Sequence, residues 1–129
     1  QAKVDAVVAD IPDVEVSDPS GQAKLLVLGW GSTYGPIVAA TRRVRKQGHH
    51  VAMAHLRHLN PMPANLGEVL RSYDKVLVPE MNLGQLAQLL QSRYLVPIES
   101  YSRVRGLPIS LAELEADIIQ VLEEMKKEA

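Results

Sequence analysis

The chain alternates between short apolar runs and amphipathic segments, and the alternation becomes regular from residue 25 onward. Residues 25–28 form a continuous apolar run, which is typical of a strand buried on both faces of a parallel sheet. The run ends at Gly29, and Pro36 then opens a helical pattern that ends at Gly48. The inward positions of this helix are Ile37, Val38, Thr41 and Val44. A strand, a glycine turn and a helix in this order predict the first half of a βαβ unit.

Three more strands alternate with helices along the rest of the chain. The predicted strands are residues 51–59, 75–79 and 96–101, and the last lies near a sheet edge because Pro97 interrupts it. Ser110 is expected to cap the final helix, with Glu113 completing a capping box. The apolar stripes of the three helices are Leu66, Val69, Leu70 and Tyr73; Leu86, Ala87, Leu90 and Tyr94; and Leu111, Leu114, Ile118, Val121, Leu122 and Met125. This order predicts an α/β fold with three layers (α/β/α) and a mostly parallel sheet.

The first 23 residues differ from this pattern. They are acidic and interrupted by proline, so we interpret residues 1–23 as a linker from an upstream domain and residues 24–129 as the domain itself. Residues 3–9 fit the end of an upstream helix, and the alternation at 14–16 fits a short edge strand that Pro19 stops. Because the chain begins with Gln1 rather than Met, we expect an excised or processed piece.

Composition limits the classes of function. A length of 129 residues fits one domain, and a net charge of −1 gives no general attraction to nucleic acid or to anionic lipid. The charge is uneven, however: residues 19–67 contain no acid, whereas residues 1–18 carry five acids and residues 68–129 carry ten. Two interpretations explain the uneven charge. Residues 19–67 form a basic sector that contacts a different partner from the acidic faces, or the cations from Arg42 to Lys46 form a solvated helix face. The sequence leaves both open.

The chain has no cysteine, which excludes disulfides, thiolate metal sites and iron–sulfur ligation within it. This is compatible with a reducing cytoplasm, where we expect the protein. No apolar run approaches the roughly 20 residues of a membrane span, and no signal peptide is visible.

Three loops should meet at the carboxyl ends of the predicted strands, where ligands gather in such sheets. The first is the glycine loop: Gly29, Trp30, Gly31, Ser32, Thr33, Tyr34 and Gly35. It departs from the dinucleotide fingerprint, because Tyr34 holds the place of the third glycine and no acid occurs between Asp18 and Glu68. An NAD site is therefore disfavoured. Amides at a helix N-terminus can still hold a phosphate or carboxylate, but close strand–helix packing with Trp30 at an interface is the favoured interpretation.

The histidines and Glu80 are the other candidates for chemistry. Strand alternation places His55 and Arg57 on one face and His58 on the other, while His49 and His50 lie at the opposite end of the strand. Without cysteine or an acid nearby in sequence, we expect no metal site. Glu80 follows a strand but has no partner for acid–base catalysis, so no catalytic residue is predicted.

Three segments in one order resemble a known family. These are the glycine loop, the run from His55 to Pro63, and the run from Val78 to Leu86. Together they resemble the C-terminal domain of the alpha subunit of 2-oxoacid:ferredoxin oxidoreductases, most closely the 2-oxoglutarate enzymes. The resemblance covers residues 1–124, although the third segment lacks one glycine of the longer family form.

The resemblance implies a domain like the C-terminal domain of transketolase, with a five-stranded mixed sheet whose first strand, residues 14–17, is antiparallel. It implies a non-catalytic assembly role in an enzyme that uses thiamine diphosphate, Mg, an iron–sulfur cluster and coenzyme A. The implied partners are the beta subunit, the rest of the alpha subunit and ferredoxin, and a homodimer is also compatible. The implied interface residues are Arg57, His58, Pro61, Glu80, Asn82, Gly84 and Gln85. The competing hypothesis is a free-standing anion- or nucleotide-binding module that uses the glycine loop.

Overall fold

A computed structural model describes residues 13–30, 34–57, 63–80, 85–95, 99–102 and 110–128. Strands and helices alternate through most of this part of the chain. The strands are β1 (Val16–Ser17), β2 (Leu25–Trp30), β3 (Ala52–Leu56), β4 (Lys75–Glu80) and β5 (Glu99–Ser102), and the helices are α1 (Tyr34–Lys46), α2 (Leu66–Arg71), α3 (Gln85–Tyr94) and α4 (Leu111–Glu128).

The five strands form one sheet in the order β1-β3-β2-β4-β5, so β2 is central. Strands β2, β3, β4 and β5 are parallel, whereas β1 pairs antiparallel with β3. The predicted antiparallel first strand is therefore confirmed, although its ladder is shorter than residues 14–17. The prediction that the last strand lies at an edge is also confirmed.

Each face of the sheet is covered by two helices, which gives the predicted three layers. On one face, Leu26, Leu28 and Val78 pack with Leu66 and Leu70 of α2 and with Leu86 and Leu90 of α3. On the other face, Leu25 and Val27 pack with apolar residues of α1 and α4, among them Val44 and Ile118. Adjacent residues of β2 serve opposite cores because side chains alternate along a strand. This explains why the strand is apolar throughout.

The helix boundaries differ in detail from the sequence pattern. Helix α1 begins at Tyr34, two positions before Pro36. A proline is tolerated in this first turn because the N–H that it lacks would have no partner within the helix. In α4, the Glu113 N–H donates to Ser110 Oγ at 3.4 Å, as the predicted cap requires. The predicted strand over 51–59 is shorter, ending at Leu56, and residues 58 and 59 lie outside the described part. Residues 96–98 of the predicted fourth strand lie outside it too.

The basic residues of α1 do not all belong to a solvated face. Arg42, Arg43 and Lys46 are exposed as predicted, but Arg45 is half-buried. Its guanidinium donates to the carbonyl of Val51 through Nε at 3.0 Å and to the carbonyl of Ser17 through Nη2 at 2.8 Å. Arg45 therefore ties α1 to the edge of the sheet instead of contributing to a solvated face.

At two positions the backbone requires a glycine or strongly favours one. Gly48, just after α1, has a φ of +92°, which a residue with a Cβ adopts only with strain, and this confirms the helix stop predicted there. Gly67 lies where α2 approaches the end of α3, and an added Cβ would be 2.8 Å from Cδ1 of Tyr94. Gly67 therefore permits close packing between α2 and α3.

Candidate functional site

A groove lies on the α1 face of the sheet, between α1 and the β1 edge. We call it the edge groove and define it by Asp13, Glu15, Tyr34, His55, Arg57 and Pro63, which are among its lining residues. Its volume is about 350 Å³, within the range of small-molecule sites and also compatible with a single anchoring side chain of a partner protein.

Strand pairing explains how acids and bases come together there. In the antiparallel register, Val16 is opposite Ala54 and Ser17 is opposite Met53. Continuing that register backward brings Asp13 and Glu15 alongside the end of β3, where His55 and Arg57 lie. Because side chains alternate and Val14 is buried in the α2–α3 core, its two neighbours belong to the groove face.

The segment before β1 is held by one side chain from the opposite face of the sheet. Asn65 Oδ1 accepts from the Val14 N–H at 2.8 Å, and Asn65 Nδ2 donates to the Val14 carbonyl at 3.0 Å. These two bonds reproduce the pairing that a neighbouring strand would give. They position Asp13 and Glu15 although the ladder of β1 has only two residues.

His55 is the most constrained titratable group of the groove. Its ring meets the ring of Tyr34 edge-on, with centroids 5.1 Å apart and an interplanar angle of 75°. Burial, and secondarily the charge of Arg57, lower the pKa of His55 below its ordinary value. The buried Nδ1 has no hydrogen-bond partner among the described residues. A neutral imidazole has one donor and one acceptor nitrogen, and here the buried Nδ1 is one of the two.

The glycine loop is described only at its two ends. Gly29 is buried at the carboxyl end of central β2 and is paired with His55, while Trp30 is partly buried and packs on the α2–α3 core. Tyr34 begins α1 and is 52% exposed. At Gly35 a Cβ would meet nothing within 4 Å, so the close-packing interpretation is wrong for this glycine.

Two other predicted site residues lie at the ends of described elements. The structure extends β4 by one residue beyond the predicted 75–79, so Glu80 ends the strand and does not lie in the turn after it. Gln85 begins α3. The remaining members lie outside the described residues: Gly31, Ser32, Thr33, His58, Pro61, Asn82 and Gly84.

Sequence reasoning missed Asp13, Glu15 and Asn65. The premise that no acid lies near the histidines holds along the chain and is wrong in space, because β1 brings Asp13 and Glu15 beside the end of β3. The implied antiparallel β1 was the one signal that could have located them. Even so, no three His, Asp or Glu side chains of the described residues converge as metal ligands. Among the described residues, the groove combines acidic, basic and apolar side chains.

Comparison with known proteins identifies the family. Residues 23–113 match the model of pyruvate:ferredoxin oxidoreductase core domain II. The chain therefore belongs to this domain family, which confirms the resemblance at the level of the domain.

The relatives are subunits of 2-oxoacid oxidoreductases. Over 114 residues the chain is 57% identical to 2-oxoglutarate oxidoreductase subunit KorA of Mycobacterium tuberculosis, a match that covers 88% of this chain and 17% of that protein. It is 34% identical to the alpha subunit of 2-oxoacid:ferredoxin oxidoreductase 2 of Aeropyrum pernix, covering 88% of this chain and 18% of that subunit. The chain thus spans less than a fifth of the length of these relatives.

Solved structures agree with the fold. A 2-oxoglutarate:ferredoxin oxidoreductase from Magnetococcus marinus superposes with a TM-score of 0.82 and 28% identity, covering 92% of this chain and 21% of that chain. A split-gene transketolase superposes with a TM-score of 0.61 at 14% identity, covering 84% of this chain and 41% of that one, which supports the fold alone. The predicted fold, like that of the transketolase C-terminal domain, is confirmed. No helix in the described ranges has the length and apolar character needed to cross a membrane.

Proposed function

We propose that this chain is a non-catalytic assembly domain in the alpha subunit of a 2-oxoglutarate:ferredoxin oxidoreductase. The complete enzyme would oxidise a 2-oxoacid with thiamine diphosphate, transfer the acyl group to coenzyme A and reduce ferredoxin. The observation that carries this proposal is the 57% identity to the KorA subunit across 88% of the chain. In this proposal residues 1–23 connect the domain to upstream parts of the subunit, and the enzyme works in the cytoplasm.

An iron–sulfur cluster and a Mg²⁺ site do not fit the part of this chain that the structure describes. Iron–sulfur clusters are held by cysteine thiolates, and the chain contains no cysteine. The Mg²⁺ that accompanies a diphosphate takes oxygen ligands, and the described residues hold no cluster of three His, Cys, Asp or Glu side chains. Other domains or the beta subunit would therefore supply these sites.

The edge groove is the surface that we assign to assembly. Tyr34 is half exposed there beside His55, and Arg57 is exposed at the end of β3. Tyr, Trp and Arg are enriched in protein interfaces because they combine large contact areas with hydrogen-bonding groups. We extend the proposed interface to Trp30, Glu80 and Gln85, and to the loop residues His58, Pro61, Asn82 and Gly84.

Assembly of the complete enzyme tests this proposal. We expect the Tyr34→Ala/Arg57→Ala double variant to weaken association of the alpha and beta subunits in analytical ultracentrifugation, whereas Lys127→Ala, an exposed cation at the end of α4, leaves it unchanged. Trp30→Ala should also weaken association. Unchanged assembly with all groove variants would refute the interface assignment. Nucleotide binding that is lost on changing Tyr34 or Gly35 would favour a ligand-binding module instead.

A further inference from the structure

A second pocket lies at the opposite end of the sheet, where the parallel strands begin. We call it the amino-edge pocket and define it by Lys24, His49, His50, Asp74, Lys75 and Lys126. Its volume is about 520 Å³, which is within the usual range of sites for small molecules. Its described lining residues are all different from those of the edge groove.

The topology brings these residues together from four separate stretches of the chain. Lys24 precedes β2, and its carbonyl accepts from the N–H groups of Asp74 and Lys75 at 2.8 and 3.2 Å. The positive φ of Gly48 reverses the chain after α1 and directs His49 and His50 to the same edge. Lys126 comes from the last turn of α4. Each stretch is held by backbone bonds, a special turn or a packed helix.

The pocket has an excess of positive charge. Three ammonium groups and two imidazoles surround it, and Asp74 is the one carboxylate among its described lining residues. Neither Lys24 nor Lys126 forms an ion pair with another described residue. Converging like charges repel one another, so an anion that enters the pocket gains their combined attraction.

A helix-dipole effect explains only part of this arrangement. Lysines in the last turn interact favourably with the C-terminal end of a helix, and this applies to Lys126 and Lys127 alike. Because neighbouring side chains point about 100° apart around a helix, Lys126 and not Lys127 joins Lys24 and Lys75 at the cavity. Leu122 and Met125 of the same helix add an apolar wall to the pocket.

We propose that the amino-edge pocket binds a phosphorylated small molecule, with its phosphates between Lys24 and Lys126 and an organic group against Leu122 and Met125. A multiply charged phosphate matches the surplus of cations better than a single carboxylate. The cavity also exceeds the size of a lone phosphate, so a nucleoside diphosphate is a suitable ligand class. This inference is independent of the assembly role proposed for the edge groove.

Nuclear magnetic resonance titration of the ¹⁵N-labelled chain with inorganic phosphate and with ADP, at constant ionic strength, tests the site. We expect shift changes concentrated at Lys24, residues 48–50, Lys75 and Lys126, with ADP binding more tightly than phosphate. Lys24→Ala and Lys126→Ala should each weaken ADP binding about tenfold, because each removes a charge-assisted contact. Lys127→Ala is the matched control and should leave the affinity within about twofold. Unchanged amide dispersion in the variants verifies their folding.

Three results would overturn the proposal: no binding of either probe, shift changes confined to the Tyr34–Gly35 end, or equal weakening by Lys126→Ala and Lys127→Ala. If the lone chain gives no dispersed spectrum, equilibrium dialysis of ADP against the assembled enzyme replaces the titration. There, the wild type must retain more ADP than the Lys24→Ala/Lys126→Ala variant, and equal retention refutes the site.

Discussion

Asn65 and Val14 are joined by two hydrogen bonds, 2.8 and 3.0 Å long, across 51 residues of sequence. Asn65 lies at the start of α2, where an asparagine commonly caps the helix, yet its side chain makes no capping bond. The side-chain amide of Asn65 bonds instead to the N–H and the carbonyl of Val14, as a neighbouring strand would. This pair decides where the acidic segment before β1 lies, and therefore what the edge groove contains.

The two hydrogen bonds between Asn65 and Val14, which we call the Asn65 clamp, should stabilise the edge of the sheet. We expect Asn65→Ala to lower the free energy of unfolding by about 1–3 kcal/mol, since it leaves the partly buried Val14 N–H and carbonyl without that partner. Urea denaturation measures the change. Asn65→Asp is the matched variant: it keeps the acceptor for the Val14 N–H but turns a carboxylate oxygen toward the Val14 carbonyl, so it should cost at least as much as alanine. If Asn65→Ala leaves the free energy of unfolding unchanged, the two Asn65–Val14 hydrogen bonds contribute nothing to stability.

Gly67 and Gly35 should respond oppositely to the same substitution. At Gly67 a Cβ would contact Tyr94 at 2.8 Å, so Gly67→Ala is expected to destabilise the fold by about 1–3 kcal/mol through overpacking. Gly35→Ala enters open space in a helical turn and should be neutral or stabilising by up to about 1 kcal/mol. Thermal unfolding compares the two variants. Combining Gly67→Ala with Tyr94→Leu should recover part of the loss if the ring causes it, and no recovery would contradict that explanation.

Arg45 and Arg43 are neighbouring cations of α1 with different structural roles. Arg45 bonds to the backbone of Ser17 and Val51, whereas Arg43 forms a 3.4 Å ion pair with Glu115 and is 55% exposed. We expect Arg45→Ala to cost about 1.5–3 kcal/mol of stability and Arg43→Ala at most about 1 kcal/mol. Chemical denaturation under matched conditions measures both. Equal losses would contradict the assignment of Arg45 as a tie between helix and sheet edge.

His55 should make the stability of the fold depend on pH. Because burial and Arg57 lower its folded pKa, folding favours the neutral ring. The stability that depends on a neutral His55 is therefore fully present above the unfolded pKa of about 6.5. It is lost as the pH falls from that value through the lower folded pKa. His55→Gln should flatten this part of the stability profile, as measured by urea denaturation at a series of pH values.

The same group gives a direct spectroscopic test. In a proton NMR titration, the His55 ring should titrate below 6.5, and Arg57→Gln should raise its pKa without restoring the ordinary value, since burial remains the larger cause. Lys127→Ala should leave it unchanged. A His55 pKa at or above 6.5 would contradict the burial of the ring.

The sequence by itself determined the class of fold and the order of its elements. The apolar run at 25–28, the helical stripe from Ile37 to Val44 and the Ser110 cap are local signals, and the structure confirms each of them. Their information lies within one or two turns or within one strand, where side-chain periodicity directly reports burial. The motif combination also indicated the family, because three loops kept a consistent order.

The tertiary structure alone decided what surrounds the two pockets. Pairing of β1 with β3 brings Asp13 and Glu15 to His55 and Arg57, and the clamp from Asn65 depends on a contact that no local pattern encodes. Likewise, Lys24, Lys75 and Lys126 become neighbours only when the strands align and α4 packs on the sheet. The physical reason is that burial of all the apolar core residues together sets the strand register and the packing of the layers. Polar groups that are distant in sequence become neighbours as a consequence of that packing.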